Sequence, residues 1–303
     1  MHVEFIVRDP GARLDVALAQ AAGISRAIAA RAIEQGRVLV DGERARRSLR
    51  VQEGMRIAAD LPEDAPPPAP EARDDVAIVY EDRWLAVVAK PAGLVVHPAP
   101  GHAGGTLVNA LLASSSPAGG DPDRPGIVHR LDAGTSGLMI VAKDAEAHAR
   151  LVKAMKARAV TRIYLALVEG RPDTDTMTID APIGRSTRQR KKMTVAGGGR
   201  PALTNVTVME RLPTTALLEV RPHTGRTHQI RVHLAAAGHP IAGDPVYGGA
   251  RALAAALGLQ RPFLHAARLS FVHPMTEQPM ELEEPLPSDL VAALERARAE
   301  GGP

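Results

Sequence analysis

The sequence predicts an α+β protein on a mixed, largely antiparallel sheet, preceded by a small helical module. Three observations lead there. Strand-like runs outnumber helical ones over most of the chain, the pattern of hairpin-connected sheets. A break at 62–75, PEDAPPPAPEARDD, with five prolines between 62 and 70, separates a short N-terminal stretch from a large remainder. The length of 303 residues suits about two domains.

Taken in order, residues 11–60 form the module. Leu14, Ala17, Leu18 and Ala21 recur at helical spacing, with Gly23 placed to end the helix. Ser25 is a candidate cap for a second helix whose apolar stripe is Ile28, Ala32 and Ile33. Val38-Leu39-Val40 then runs into Asp41-Gly42, a hairpin turn signal. The module carries nine Arg against six acids, and Arg26, Arg31, Arg44, Arg46 and Arg47 are expected mainly on the second helix and the turn after it. Residues 61–75 read as an extended, soluble linker. Over 76–290, VAIVY (76–80), LAVVAK (85–90), GLMIVAK (137–143), IYLALVEG (163–170) and LTNVTVME (203–210) read as strands. The last alternates at period two, as a half-buried antiparallel strand does. A helix is expected over about 144–158 and another in THQIRVHLAAAG, followed by FLHAARLSFV as a strand.

Composition narrows the chemistry. There is no cysteine, which excludes disulfides, thiolate nucleophiles and Cys-based metal centres. No window reaches the roughly 18 apolar residues of a membrane span. The first residues lack an apolar stretch after a basic start, so a cytoplasmic protein is expected. The net charge of +3 is unremarkable, but its distribution is not. Residues 185–200 hold Arg185, Arg188, Arg190, Lys191, Lys192 and Arg200 without an acid, and 221–233 hold three Arg and three His without one. Segregated positive charge suits phosphate binding.

GIVHRLDAGTSGLMIVAKD (126–144) is the stretch richest in chemistry. Ile127, Val128 and Leu131 read as the end of a buried strand and residues 133–137 as a tight turn. Asp132 then stands where strand gives way to loop, on one face with Arg130. A carboxylate there needs a cationic or donor partner; the plainer reading is a turn cap. A Ser-His-Asp reading of Ser136, His129 and Asp132 fails, because the nucleophile elbow is absent and an Asp three residues from its His is badly placed to orient it. His223, His228, His233 and His239 do not suit a helical zinc site: a spacing of five sets successive residues about 140° apart around a helix. The glycine runs at 101–105 and 197–199 match neither the dinucleotide nor the P-loop pattern, so no nucleotide cofactor is expected.

His129 to Gly137, read as H-R-L-D-x-x-T-S-G, resembles the catalytic motif of the RluA/RluD family of pseudouridine synthases. KPAGLVVHP (90–98), TRIYLALVEG (161–170), TGRTHQIRVHL (224–234) and GDPVYGG (243–249) resemble further motifs of that family, in the same order. Residues 11–60 resemble the S4 RNA-binding domain. The resemblance implies the pseudouridine synthase fold and conversion of uridine to pseudouridine in 23S ribosomal RNA or a large-subunit precursor, with no cofactor and no metal. It implies Asp132 as the catalytic carboxylate, Tyr164 as the tyrosine stacked on the target base, and Arg231 as a bidentate partner of Asp132, Arg226 being the lesser candidate. The base must leave the RNA stack, and Arg130 is the candidate to brace the gap. Arg188, Arg190, Lys191 and Lys192 would hold phosphates near the site, and Arg26, Arg31, Arg46 and Arg47 would serve the module. Nothing demands an oligomer, so a monomer is expected. Two alternatives stand beside this: the sister family acting on small-subunit rRNA, which has Gly where His129 stands, and a non-catalytic RNA-binding ribosome-assembly factor.

Overall fold

The computed structural model describes residues 1–24, 26–61, 68–97, 104–121, 124–186, 189 and 192–299. It divides into two units, Met1–Ala69 with Gly120–Pro125, and Pro70–Gly119 with Gly126–Pro303.

The first unit runs β1 (His2–Ile6), α1 (Leu14–Ala22), α2 (Arg26–Glu34), β2 (Val38–Val40), β3 (Glu43–Arg44) and β4 (Arg56–Asp60). Gly23, at φ 64°, ends α1 in the left-handed conformation that glycine adopts without strain. Asp41 and Gly42 both have positive φ, as a two-residue hairpin turn requires, and join β2 to β3. The sheet order is β1-β4-β2-β3. Leu14, Leu18, Ile33, Val38 and Ile57 close the core against it. Residues before 11, outside the module as read from sequence, supply β1, antiparallel to β4. The strand is short and half-exposed, which leaves little apolar signal. The helix cap expected at Ser25 lies outside the described residues.

In the second unit β5 (Ala77–Glu81), β6 (Leu85–Lys90), α3 (Leu107–Ser114), β7 (Ser136–Ala142), α4 (Ala145–Lys156), β8 (Thr161–Glu169) and β9 (Thr176–Asp180) come first. Then follow β10 (Ile183–Arg185), β11 (Met193–Val195), β12 (Leu203–Arg211), β13 (Thr215–Pro222), α5 (Gln229–Ala236), α6 (Arg251–Ala256), β14 (Leu264–Val272), β15 (Pro279–Glu283) and α7 (Ser288–Ala299). Eight strands run in the order β5-β6-β7-β14-β8-β13-β12-β9, with β15 paired to β14; β10 and β11 make a separate hairpin. Among the described residues only the β7–β14 pair is parallel, so the sheet is mixed and largely antiparallel, as predicted.

β7 is buried along its whole length, consistent with a central strand. It begins at the close approach to β14: Gly137 has φ 110°, and a Cβ there would overlap the Ala266 backbone. The glycine of the T-S-G triplet is thus required by the parallel pairing that brings the loop before β7 over the middle of the sheet. α4 is capped by the Asp144 carboxylate, which accepts from the backbone N–H groups of Glu146 and Ala147. Among the described residues, no helix is long and apolar enough to cross a membrane.

One local expectation is corrected. Ile127 to Leu131 is not a strand end: apart from a single bridge between Ile127 and Val141, the segment bends at Val128 and His129 and is irregular at Arg130 and Leu131. The apolar residues are held by side-chain burial while the backbone turns, a combination that a short apolar run does not distinguish from a strand.

Candidate active site

Asp132 sits in the loop before β7 and lines a cleft of about 220 Å³. Pockets for drug-sized ligands run to roughly 300–1,000 Å³, so this one admits a smaller group. Tyr164, Arg231, Arg130 and Arg226 also line it, so the fold brings five of the sequence-derived candidates together. The Asp132 side chain does not cap its turn; that turn closes through the backbone, from Thr135 N–H to the Asp132 carbonyl.

Arg231 stands in the first turn of α5, and its side chain is 8% exposed. Its pairing differs from the expected one. The guanidinium fork grips Asp244, with Nε on Oδ2 at 2.6 Å and Nη2 on Oδ1 at 2.8 Å, while Asp132 Oδ2 receives one bond from Nη1 at 3.2 Å. Asp244 is fixed in turn by the N–H groups of Val246 and Tyr247, which makes it the better anchored acceptor for a bidentate pair. Burial works against the Arg231 charge, but Asp244 and then Asp132 outweigh it and hold its pKa above the ordinary value. Burial likewise opposes ionisation of Asp244, and Arg231 outweighs it, leaving its carboxyl below the usual range. The Tyr247 ring lies 5.0 Å from the guanidinium carbon, a cation–π contact.

The Tyr164 side chain comes from β8, between Ala266 of β14 and Val220 of β13. Burial raises its pKa, with the Asp132 charge adding to it and Arg162 opposing, so the phenol keeps its proton at neutral pH. Arg162, two residues earlier on β8, reaches the same cleft and donates to the Thr224 carbonyl. His129 is buried, accepts the Ile140 N–H at Nε2, and is pulled down to about 3 by burial and by Arg162. It is therefore a neutral structural acceptor, not an acid or base.

Two cations hold the loop from behind. Lys90, fully buried at the end of β6, donates to the carbonyls of Pro91, Leu94 and Ala133, three acceptors for the three N–H bonds of an ammonium. Burial and the Arg261 charge bring its pKa down to about 7, against the opposing pull of Asp132. Arg261 forms a bidentate pair with Asp289 on α7 and turns Nη1 towards the Gly134 carbonyl and Ser136 Oγ. Ser136 Oγ also meets His265 Nδ1 at 2.9 Å. The serine of the motif is thus a structural tie.

His228, Asp244, Tyr247, Lys90, Arg162 and Arg261 were not singled out by sequence reasoning as members of this site. Asp244 and Tyr247 stand in the GDPVYGG stretch, His228 and Lys90 in two other quoted motifs, and that was the available signal. The four histidines considered as a metal set are dispersed: His233 bonds Thr204 and the Ala181 carbonyl, and His239 bonds the Glu169 carbonyl.

Of the remaining RNA-binding candidates, Arg188, Arg190 and Lys191 lie outside the described residues; Lys192 stands half-buried just before β11. In the first unit, Arg26 is engaged with Asp15 and Arg47 with Glu34. Arg31 on α2 and Arg46 after β3 are exposed and make no ion pair among the described residues.

Known proteins share this organisation. Residues 84–236 match the family model described as RNA pseudouridylate synthase, and residues 12–57 match the S4 domain. An uncharacterized RNA pseudouridine synthase of Chloroflexus aurantiacus is 50% identical over 89% of this chain and 85% of its own length. Ribosomal large subunit pseudouridine synthase D of Pseudomonas aeruginosa is 44% identical over 95% of this chain and 92% of its own. Among solved structures, human RNA pseudouridylate synthase domain containing 1 superposes with a TM-score of 0.58 at 30% identity, over 72% of this chain and 86% of that one.

Proposed function

The chain belongs to the RNA pseudouridylate synthase family, and on that premise we propose that it isomerises specific uridines to pseudouridine in 23S ribosomal RNA or a large-subunit precursor, with Asp132 as the essential group. The observation that supports this best is the division of Arg231. Its fork is spent on Asp244, so Asp132 is oriented by one hydrogen bond and keeps its other oxygen for the cleft.

The reaction breaks the bond between uracil N1 and ribose C1′ and makes one between C5 and C1′, while the proton at C5 is lost and N1 gains one. It is redox-neutral and an isomerisation, so it calls for no electron or group carrier. Asp132 serves it as the carboxylate that acts at the target nucleotide, as nucleophile or base. The target base leaves the stack, at a cost of a few kcal/mol, and enters the cleft. Tyr164 supplies an aromatic wall and a protonated phenol, and Arg130, exposed at the rim, braces the gap left behind. Arg226, whose Nε donates to the Pro201 carbonyl, lies further along the same wall. Arg188, Arg190, Lys191 and Lys192 serve as phosphate-binding cations, and the S4-like unit with Arg26, Arg31, Arg46 and Arg47 grips a neighbouring RNA element.

The test is tritium release from rRNA transcribed with [5-³H]uridine, since closing the C5 bond expels that hydrogen to water. The 23S transcript should release counts and the 16S transcript should not. Release from 16S alone would place the enzyme with the small-subunit modifiers, and binding without release from either would make it an assembly factor.

A further inference from the structure

His228 directs a hydrogen-bond donor at the side of Asp132 that Arg231 leaves open. It lines the cleft, and its Nε2 stands 3.9 Å from Asp132 Oδ1, whereas Arg231 holds Oδ2. A separation of 3.9 Å is too long for a direct hydrogen bond. It does allow one oxygen of a bound nucleotide to lie within reach of both groups, the geometry expected around a reacting centre.

Which nitrogen carries the proton follows from the partners. The Tyr247 hydroxyl accepts the Met193 N–H at 2.9 Å and lies 2.9 Å from His228 Nδ1. Donation of the hydroxyl proton to Nδ1 uses the phenol's donor as well as its acceptor and leaves the imidazole proton on Nε2, whereas the other tautomer would set a bare Nε2 lone pair facing Asp132 Oδ1. Burial, reinforced by the Arg231 charge and opposed by Asp132, lowers the pKa of His228, so the ring is neutral at pH 7. The backbone adds a second sign. His228 has φ 56°, a left-handed conformation that costs a non-glycine residue of order 1–3 kcal/mol and clusters at functional sites. An edge-to-face contact with Tyr247 fixes the ring there.

We propose that His228 is a further catalytic residue, whose neutral Nε2–H donates to an oxygen of the target nucleotide held against Asp132 Oδ1, with Tyr247 as the positioning residue that sets the tautomer. The inference rests on the reading that this cleft receives the uridine. The acceptor is the ribose 2′-hydroxyl, a neighbour of the C1′–N1 bond that can accept from Nε2–H while donating its own proton to Asp132 Oδ1.

Three variants separate the roles. His228→Asn tolerates the left-handed backbone and reaches only the Nδ1 position, so it keeps the Tyr247 contact and deletes the donor. His228→Gln extends an amide to the Nε2 position and restores a donor. Tyr247→Phe removes the tautomer control. With a mapped target stem–loop as substrate, His228→Asn should lower kcat about 10²–10³-fold with unchanged KM and melting temperature. His228→Gln should recover most of the rate, and Tyr247→Phe should fall between the two. A stem–loop carrying 2′-deoxyuridine at the target tests the acceptor: on it wild type slows to the His228→Asn rate and that variant slows no further, while 2-thiouridine leaves the ratio of the two rates unchanged. A wild-type kcat in His228→Asn, a loss expressed in KM, or no recovery with Gln would overturn the proposal. A wild type that forms no pseudouridine in any rRNA would overturn the parent reading, and this inference with it.

Discussion

Two clusters of arginine and aspartate, one in each unit, use the same groups in opposite proportion. In the first unit a single buried acid, Asp15, is served by two half-exposed cations: Arg13 grips both its oxygens and Arg26 adds a third bond. In the second unit a single buried cation, Arg231, serves two acids. Burial pushes the Asp15 pKa up and its hydrogen bonds to Arg13 and Arg26 more than reverse this, so the carboxylate is satisfied and closed to solvent. Asp132 has one bond from Arg231 and a cleft in front of it. An ion pair with surplus cation is a brace; one with surplus carboxylate leaves an acid free to react.

Breaking the second cluster should have the larger effect. Asp244→Asn removes the charge and one of the two oxygens that accept the Arg231 fork. Loss of one partner from a buried pair should cost about 3 kcal/mol or more in urea unfolding. The freed guanidinium should also turn to Asp132, so turnover should fall further than stability explains. Asp15→Asn should be milder, about 1.5–3 kcal/mol, because its arginines can turn to water. It should weaken RNA binding and leave kcat alone. Equal kinetic damage from both variants would erase the contrast between the clusters.

Acid sensitivity sharpens the comparison from another side. His129 has a folded pKa of about 3 against an ordinary value of 6.5, so as pH falls the unfolded chain takes up the proton first. The stability tied to this group is complete above about 6.5 and drains as pH falls towards 3. His129→Gln keeps an acceptor for the Ile140 N–H and cannot titrate. Between pH 7.5 and 4.5 wild type should lose about 2–3 kcal/mol more than the variant in chemical unfolding. Parallel curves would mean that the imidazole is not buried neutral. The smallest effect belongs to the exposed arginines of the first unit. Arg31→Ala and Arg46→Ala together should reduce the slope of log affinity against log salt by about 0.7–0.9 for each phosphate they cease to neutralise. An unchanged slope would remove them from the RNA surface.

Much of this was legible in the sequence because it rests on local rules. Gly23, the Asp41-Gly42 turn and the period-two run at 203–210 act through their own backbone or their own strand, and each lies where its pattern indicated. Asp132, Tyr164 and Arg231 were legible through motifs, and a loop, a strand and a helix bring them to one cleft. The competition for Arg231 was not legible. It is decided by Asp244, thirteen residues away and fixed by its own turn, and a side-chain preference between two acids leaves no mark in periodicity. The ties from Lys90 to Ala133 and from Arg261 to Gly134 were hidden for the same reason: they join residues 43 and 127 positions apart through backbone carbonyls, which every residue has. The strand expected at 127–131 failed because burial alone does not specify an extended backbone.

The most direct test of the central claim is a pseudouridine map at nucleotide resolution of 23S rRNA incubated with wild type and with Asp132→Asn. The variant should fold and bind RNA as wild type does while its turnover falls on the order of 10⁴-fold or more. New pseudouridines should therefore appear with wild type alone. The same sites modified by Asp132→Asn at a comparable rate, or no new site with either protein on naked rRNA and on precursor particles, would contradict it.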